Sequence, residues 1–392
     1  MVKTTNRKLP RARRTDAIQP FYAMEVLDKA WRMAAGGRDV IHLEVGEPDF
    51  DSPAAVVKAG RAALKQGHTK YTPAMGIPEL RSAIAKTYPR VCRPPAGRVA
   101  VTPGSSGALM LAFGVMIDPG DEVLLADPGY PCNSNFIRLF GGTPRLIPTD
   151  ASTNYQLTAD LIRRNWQERT RAVLIASPSN PTGTIVPAEE MTAIVRAVED
   201  LGGVCVVDEI YHGLTYGVGV RSALYDSPDV FVVNSFSKYY GMTGWRIGWL
   251  VCPEQYVDDV TKFAQNLYIS TSAPAQYAAL AALTPKVEKE CRRRKRIFRE
   301  RRDFIVPALR NIGFEIPVVP QGAFYVYADI SRFSSDSEEF AMAVLDQTGV
   351  ALTPGRDFGE YRHRQHVRLS YANTLEKLQD AASRLAKFVG GK

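Results

Sequence analysis

Between residues 99 and 251, seven short runs of apolar residues alternate with more polar segments, and most of these runs are continuously apolar. A continuous apolar run of this length is typical of a strand that is covered on both faces, as in a parallel sheet. The predicted strands are Val99–Thr102, Glu122–Ala126, Pro144–Pro148, Ala172–Ala176, Val204–Asp208, Val230–Asn234 and Arg246–Val251.

Segments with helical periodicity lie between these strands. They cover residues 106–116, 133–140, 157–165 and 187–200. Alternating strands and helices predict a layered α/β domain with a mostly parallel seven-stranded sheet.

The pattern changes after about residue 275. Charged, helix-like segments run from 272 to about 312, and two apolar strands follow at 324–328 and 366–369, before a last helix from Thr374. This pattern predicts a smaller α+β domain joined by a long helix. We therefore predict three parts, namely 1–45 (an N-terminal arm with part of the small domain), 46–285 (the large domain) and 286–392 (the small domain).

The composition is that of an ordinary globular protein, with 45% hydrophobic and 23% charged residues among 392. No apolar run approaches the roughly 18 residues of a membrane span, and the start of the chain lacks the apolar core of a secretory signal. Five scattered cysteines, none in a metal-ligand spacing, predict a reducing cytoplasm without disulfides and without a metal site.

The net charge of +8 raises the question of nucleic-acid binding. The densest basic run, from Arg292 to Arg302, is interleaved with apolar residues at near-helical spacing. We interpret it as the solvated face of a long helix and expect no nucleic-acid partner.

The run from Ser235 to Arg246 holds the most distinctive candidate chemistry. Lys238 follows the predicted strand 230–234, where its ammonium group is poorly placed to stay hydrated. Desolvation favours the neutral amine, which is a nucleophile toward carbonyls. The hydroxyls of Ser235 and Ser237 and the Arg246 guanidinium suit a phosphate. These groups predict a ligand with both an aldehyde and a phosphate, such as pyridoxal 5′-phosphate (PLP), held as a Schiff base on Lys238.

Other polar side chains follow predicted strands at their carboxyl ends, where open α/β sheets bind ligands. Asp208 would pair with a protonated pyridine nitrogen, because a buried carboxylate needs a partner charge. Tyr211 and Asn180 could hydrogen-bond the phenolic oxygen of the ring, although Asn180 alone also fits a plain turn. Tyr130 could stack on the ring or serve only in the core.

Two further features suit anions. The run Gly104-Ser105-Ser106-Gly107 opens a predicted helix, where backbone N–H groups favour a phosphate, although Ser is also a common N-cap. Arg368 lies between apolar neighbours, and a buried arginine is costly unless it is paired. Its fork matches a carboxylate, and a structural ion pair is the alternative.

These motifs occur in the order that is typical of one family. Over roughly residues 20–390, the chain resembles the fold-type-I PLP-dependent aminotransferases of class I/II, the aspartate aminotransferase superfamily. The resemblance rests on Val45–Phe50, Tyr71 with 76–81, Asn180–Gly183, Asp208–Tyr211, Ser235–Arg246 and Arg368–Tyr371.

The resemblance implies a role for each matching residue. Lys238 holds the cofactor covalently and moves the proton, Asp208 pairs with the pyridinium, and Tyr211 assists at the phenolic oxygen. The other implied cofactor contacts are Asn180, Tyr130, Ser105, Ser106, Ser235, Ser237 and Arg246. The implied contacts to the substrate α-carboxylate are Arg368, Asn180 and the Gly46 amide.

The resemblance also implies a homodimer with shared active sites, in which Tyr71 reaches the phosphate of the neighbouring subunit. The expected reaction is ping-pong transfer of an amino group from an L-amino acid to a 2-oxo acid, with 2-oxoglutarate as the expected acceptor. The identity of the amino acid that donates the amino group stays open. Members that are specific for dicarboxylic substrates use a second cationic residue that cannot be mapped here, and Phe21 and Tyr22 would equally favour apolar or aromatic side chains.

Two alternatives remain. The first is a PLP-dependent C–S β-lyase on the same fold. The second is a PLP-sensing regulatory protein, which would need a DNA-binding domain, whereas only about twenty residues precede the family match.

Overall fold

The computed structural model describes residues 10–12, 14–18, 20 and 22–391. Residues 1–9 at the start of the predicted N-terminal arm, and Phe21, lie outside the described residues. The strands are β1 (Ile41–His42), β2 (Val99–Thr102), β3 (Glu122–Asp127), β4 (Thr143–Pro148), β5 (Thr170–Ala176), β6 (Val204–Asp208), β7 (Phe231–Ser235), β8 (Gly248–Val251), β9 (Tyr325–Asp329), β10 (Val350–Ala351), β11 (Thr353–Pro354) and β12 (His366–Ser370).

The helices carry labels in the same chain order. They are α1 (Arg14–Ala17), α2 (Tyr22–Ala35), α3 (Ala54–Lys65), α4 (Pro78–Thr87), α5 (Gly104–Met116), α6 (Pro131–Leu139), α7 (Ala159–Asn165), α8 (Ala188–Asp200), α9 (Val257–Leu267), α10 (Ala273–Ala282), α11 (Pro285–Ile312), α12 (Ser337–Thr348) and α13 (Leu375–Gly390).

One sheet contains seven strands in the order β2-β8-β7-β6-β5-β3-β4. The five strands from β7 to β4 run parallel, whereas β8 pairs antiparallel with both β2 and β7. The predicted mostly parallel seven-stranded sheet is therefore confirmed.

The continuous apolar character of the strands follows from helix layers on both faces. In β5, Val173 and Ile175 pack into a core with α4, α7 and α8. Their neighbours Ala172 and Leu174 point the other way, into a core with α5, α6 and α9. Since successive side chains alternate between faces, both sets must be apolar.

The C-terminal residues build a second, smaller sheet. It is antiparallel, in the order β11-β12-β9, and β1 pairs in parallel with β10 beside it. Helices α11, α12 and α13 supply side chains such as Phe298, Phe340 and Leu378 to the core that covers this region. The domain boundaries at 45/46 and 285/286 stay a prediction.

The structure corrects one predicted strand. Strand β8 begins at Gly248 and not at Arg246, whose backbone is left-handed with φ 51°. A short 3-10 turn, Thr243–Trp245, precedes it. The apolar pattern could not reveal this turn, because the left-handed conformation depends on what the Arg246 side chain must reach.

The basic run on α11 also differs from the prediction. Arg294 and Arg301 are buried, at 7% and 5% exposure, although Arg292 and Arg299 are exposed. Both nitrogens of the Arg301 fork donate to Asp49 at 2.7 Å, and both buried guanidinium groups lie over the Phe50 ring. The helix therefore turns part of its positive charge inward, toward the 45–50 segment.

Among the described residues, no helix is both long enough and apolar enough to cross a membrane. Nor does that part of the chain gather three or more His, Cys, Asp or Glu side chains into a possible metal site.

Candidate active site

A cavity of about 320 Å³ lies where the carboxyl ends of β5, β6 and β7 face the smaller sheet. Eleven of the thirteen residues predicted from the sequence line it: Gly46, Ser105, Ser106, Tyr130, Asn180, Asp208, Tyr211, Ser237, Lys238, Arg246 and Arg368. The other two, Ser235 and Tyr71, do not.

Lys238 lies four residues after the position where strand β7 was expected to end, and its side chain is partly buried in the cavity. Its Nζ donates to the Gly46 carbonyl oxygen at 2.5 Å. Burial lowers the pKa of the Lys238 amine to about 8, and the positive charges of Arg368 and Arg246 act in the same direction. A substantial share of this amine is therefore neutral near physiological pH.

Asp208 ends β6 and is buried, with one carboxylate oxygen accepting the N–H of Ile210 at 3.0 Å. Burial raises the pKa of Asp208 to about 6, and the Lys238 charge opposes that rise. A cationic partner in the cavity would stabilise the carboxylate further, and a protonated pyridine nitrogen is such a partner.

Tyr211 is held by a tyrosine that sequence analysis did not single out. Its hydroxyl lies 2.9 Å from the hydroxyl of Tyr325 in β9. Burial raises the pKa of Tyr211 well above its ordinary value, so its hydroxyl stays protonated and able to donate. Tyr325 also packs against Gly46, where a Cβ atom would collide with the Tyr325 hydroxyl. Only glycine lets the 45–50 segment approach this closely.

Arg368 is 2% exposed and links the two sheets. Its Nη1 donates to Asn180 Oδ1 at 3.0 Å, and its Nη2 donates to Thr353 Oγ1 at 3.2 Å and to the Glu44 carbonyl. The guanidinium also lies over the ring of Tyr325. The Nε of Arg368 has no hydrogen-bond partner, so its N–H can still donate to an anion.

The opposite end of the cavity has the features of an anion site. Pro103 offers no side-chain cap to α5, so the first amides of this helix, including those of Ser105 and Ser106, have no such acceptor. Gly104 has φ +69°, and a Cβ there would lie 2.5 Å from Arg246 Nη2. The absence of a side chain lets the guanidinium approach the helix N-terminus, where amides and cation together suit a phosphate.

Ser235 is buried next to Ser237 at this end of the cavity. It is 1% exposed, its Oγ donates to the Ile247 carbonyl at 3.1 Å, and it accepts the N–H of Ser237 at 3.0 Å. Ser237 lines the cavity and Ser235 does not. Ser235 therefore orients Ser237, and its contact with a phosphate stays a prediction.

Tyr71 lies on the surface with 79% exposure. The adjacent Thr72 donates its N–H to Ser270 Oγ at 3.4 Å, so this segment packs against the loop that contains exposed Ile269. Within a single chain, Tyr71 therefore does not line the cavity.

Several cavity residues escaped the sequence analysis. Helix α2 contributes Ala23, Met24 and Leu27, and the cavity also includes Phe136, Thr243 and Tyr325. Apolar residues carry no chemical signature, and nothing in the spacing shows that an N-terminal helix returns to the sheet edge. Tyr325 could have been found, because it lies in a predicted strand.

The match to known proteins agrees with this geometry. The family model for aminotransferase class I and II matches residues 38–385, so the chain belongs to that family. Members of this class use PLP, and the amides, cations and carboxylate described above fit such a cofactor.

Individual relatives differ in their names. The chain is 39% identical to the valine–pyruvate aminotransferase of Mycobacterium tuberculosis, over 95% of this chain and 97% of that protein. It is 35% identical to the aspartate aminotransferase of Geobacillus stearothermophilus, over 96% and 98% of the two chains. A solved aminotransferase from M. tuberculosis superposes with a TM-score of 0.95 at 37% identity, over 98% of this chain and all of that one.

The first prediction concerns attachment of PLP to cofactor-free protein. Only the neutral amine attacks an aldehyde, so a pKa lowered from 10.5 to about 8 should make the attachment rate rise with pH and level off above about pH 8. At pH 7 the lowered pKa gives roughly 300-fold more neutral amine than an ordinary lysine has. Stopped-flow absorbance measures the rate, and borohydride reduction with peptide mapping identifies the lysine.

Lys238→Ala should take no label. Lys295→Ala is the matched control, because burial lowers the pKa of Lys295 too, although this residue lies outside the cavity. A midpoint near 10.5, or label on Lys295, would contradict the assignment.

The second prediction concerns Arg368. Arg368→Lys keeps the charge but loses the planar fork, so kcat/KM should fall between about 10- and 100-fold for every amino acid tested. Steady-state kinetics with leucine, alanine and aspartate check this. A loss confined to aspartate would instead mean that Arg368 contacts the substrate side chain.

Proposed function

We propose that this aminotransferase works by a ping-pong route, in which Lys238 carries the cofactor and moves the proton. The observation that carries the proposal is the convergence of a lysine of lowered pKa, a buried carboxylate and a buried arginine in one cavity. An amino acid gives up its amino group and leaves as a 2-oxo acid, and a second 2-oxo acid then takes the group.

The cofactor contacts are assigned by chemistry. Asp208 would hold the proton on the pyridine nitrogen, and Tyr211 and Asn180 would donate to the phenolic oxygen. Asn180 Oδ1 already accepts from Arg368, which leaves the Asn180 amide nitrogen to donate. Tyr130 would cover one face of the ring. The phosphate would be held by the amides of Ser105 and Ser106 with Ser235, Ser237 and Arg246.

Arg368 and Lys238 would have separate roles in the reaction. Arg368 would bind the α-carboxylate through its fork, with help from Asn180 and the Gly46 amide, and so fix the Cα–H bond relative to Lys238. Lys238 Nζ, once free, would take the proton from Cα and return it on the cofactor side. When bound, PLP supplies the carbonyl carbon that receives the amino group and a ring that draws electrons from Cα.

2-Oxoglutarate stays the expected acceptor, with pyruvate as the comparison. The name of the valine–pyruvate aminotransferase supports pyruvate, whereas 2-oxoglutarate is expected from the family resemblance. We also propose a cytoplasmic location, which the five free cysteines support.

The third prediction separates transamination from C–S β-lyase chemistry. With an amino acid and no oxo acid, a transaminase should release at most one equivalent of oxo acid per site, because the amino group stays on the enzyme. Adding 2-oxoglutarate or pyruvate should restore turnover. A β-lyase would instead release pyruvate and ammonia from a cysteine S-conjugate continuously. Continuous ammonia release without an acceptor would overturn the proposal.

We also propose a homodimer with shared sites, in which Tyr71 binds the phosphate of the partner subunit. Support comes from the exposure of Tyr71 at 79% and of Ile269 at 51%, on two segments that the hydrogen bond from Thr72 to Ser270 joins. Exposed apolar side chains that cluster in this way are typical of an interface, and a C2 interface would create two equivalent sites.

The fourth prediction tests this sharing with mixed dimers of Tyr71→Phe and Lys238→Ala. One site of each mixed dimer then has both defects and the other has neither. Activity should reach about half of the wild-type value, even though both parent dimers are impaired. Tyr225→Phe, a change at another exposed tyrosine, is the control and should leave its parent fully active. A mixed dimer with no site better than the Tyr71→Phe parent would exclude sharing.

A further inference from the structure

One wall of the cavity is built by helix α2, which lies far from the sheet residues in sequence. Ala23, Met24 and Leu27 line the cavity from this helix. Ala23 and Leu27 are buried, whereas Met24 is 50% exposed and so lies at the mouth. All three side chains are apolar, and none can pair with a charge.

A carboxylate fixes the start of this helix. Asp357 accepts the N–H groups of Tyr22 and Ala23, at 2.8 and 2.7 Å, and thereby satisfies two of the amides that a helix N-terminus leaves unpaired. The next residue, Phe358, lies under the Arg368 guanidinium, with 4.9 Å from the ring centroid to Cζ. Helix α2 is therefore held at the end of the cavity where Arg368 lies, away from the phosphate end.

The cations that line the cavity already have assigned partners. Among the described residues there are three, and the proposed function assigns Lys238 to the cofactor, Arg246 to the phosphate and Arg368 to the α-carboxylate. The remaining carboxylic acids of the lining, which have no assigned role, are Glu44 and Glu47, and Glu47 accepts a hydrogen bond from Thr243. A second substrate carboxylate held near Cα would meet apolar groups and these two carboxylates, without a compensating cation from the same chain.

We propose that the α2 wall makes this enzyme select amino donors with apolar side chains and reject aspartate, with Met24 and Leu27 as the specificity-determining residues. This inference rests on the proposed function, since it takes Arg246 and Arg368 as occupied. A longer substrate such as 2-oxoglutarate, like glutamate that it becomes, can extend its second carboxylate past half-exposed Met24 toward water, so the rejection concerns side chains as short as that of aspartate.

Leucine and aspartate form the decisive pair. Both branch at Cγ, and two methyl groups of one replace two oxygens of the other, so the comparison isolates charge from shape. We expect kcat/KM for leucine to exceed that for aspartate on the order of a hundredfold, the scale of one uncompensated buried charge. Equal values, or a preference for aspartate, would overturn the proposal.

A binding measurement gives the same comparison without turnover. Calorimetry on the holoenzyme should show that 4-methylpentanoate, which is leucine without its amino group, binds more tightly than succinate, which is aspartate without its amino group. Tighter binding of succinate would contradict the apolar wall. If no amino acid yields an oxo acid, the proposed function fails, whereas the two carboxylates still report on the wall.

Met24 allows a charge to be added where it cannot disturb the core. Met24→Lys should raise kcat/KM for aspartate at least about tenfold and lower it for leucine, because the new ammonium supplies the missing cation. Met24→Gln, of similar length and without charge, should give aspartate no such gain. If both variants leave the leucine-to-aspartate ratio unchanged, helix α2 does not form the specificity wall.

Discussion

The buried guanidinium of Arg368 is the constraint around which the site is arranged. A buried arginine must have its donors satisfied, and this one takes partners from three separate parts of the chain, namely Asn180, Thr353 and the Glu44 carbonyl. These contacts hold the smaller sheet against the carboxyl ends of the larger one. The Nε donor has no partner, and Arg368 lines the cavity, where a substrate carboxylate would add an acceptor. The interaction that joins the two sheets is thus also the one that prepares the site for a substrate.

The pKa values of two titratable groups in the cavity shift in opposite directions for one physical reason. Burial lowers the pKa of Lys238 and raises that of Asp208, because each loses hydration of its charged form. A neutral amine suits attack on an aldehyde, whereas a carboxylate of raised pKa benefits from a cation that can settle beside it. Burial in one cavity therefore has both effects, and a bound cofactor would supply a cationic partner for Asp208.

The long helix α11 contributes to the site without reaching it. Arg301 binds both oxygens of Asp49, and the guanidinium groups of Arg294 and Arg301 both lie over the Phe50 ring. These contacts fix the segment that carries Gly46, whose carbonyl accepts from Lys238. A basic run that had indicated a solvated helix face therefore serves partly to position backbone near the reactive amine.

The sequence by itself determined the alternation of strands and helices, because a sheet covered on both faces must be apolar at successive positions. It also indicated most of the candidate site, since reactive side chains such as Asp208 and Lys238 lie at, or a few residues after, strand ends that the pattern reveals. Only the tertiary structure decided the rest. The left-handed backbone of Arg246, the position of Ser235 behind Ser237 and the return of helix α2 to the cavity all depend on contacts between residues far apart in the chain. Local pattern reports how a segment folds, whereas the shape and charge of a cavity arise only when distant segments pack together.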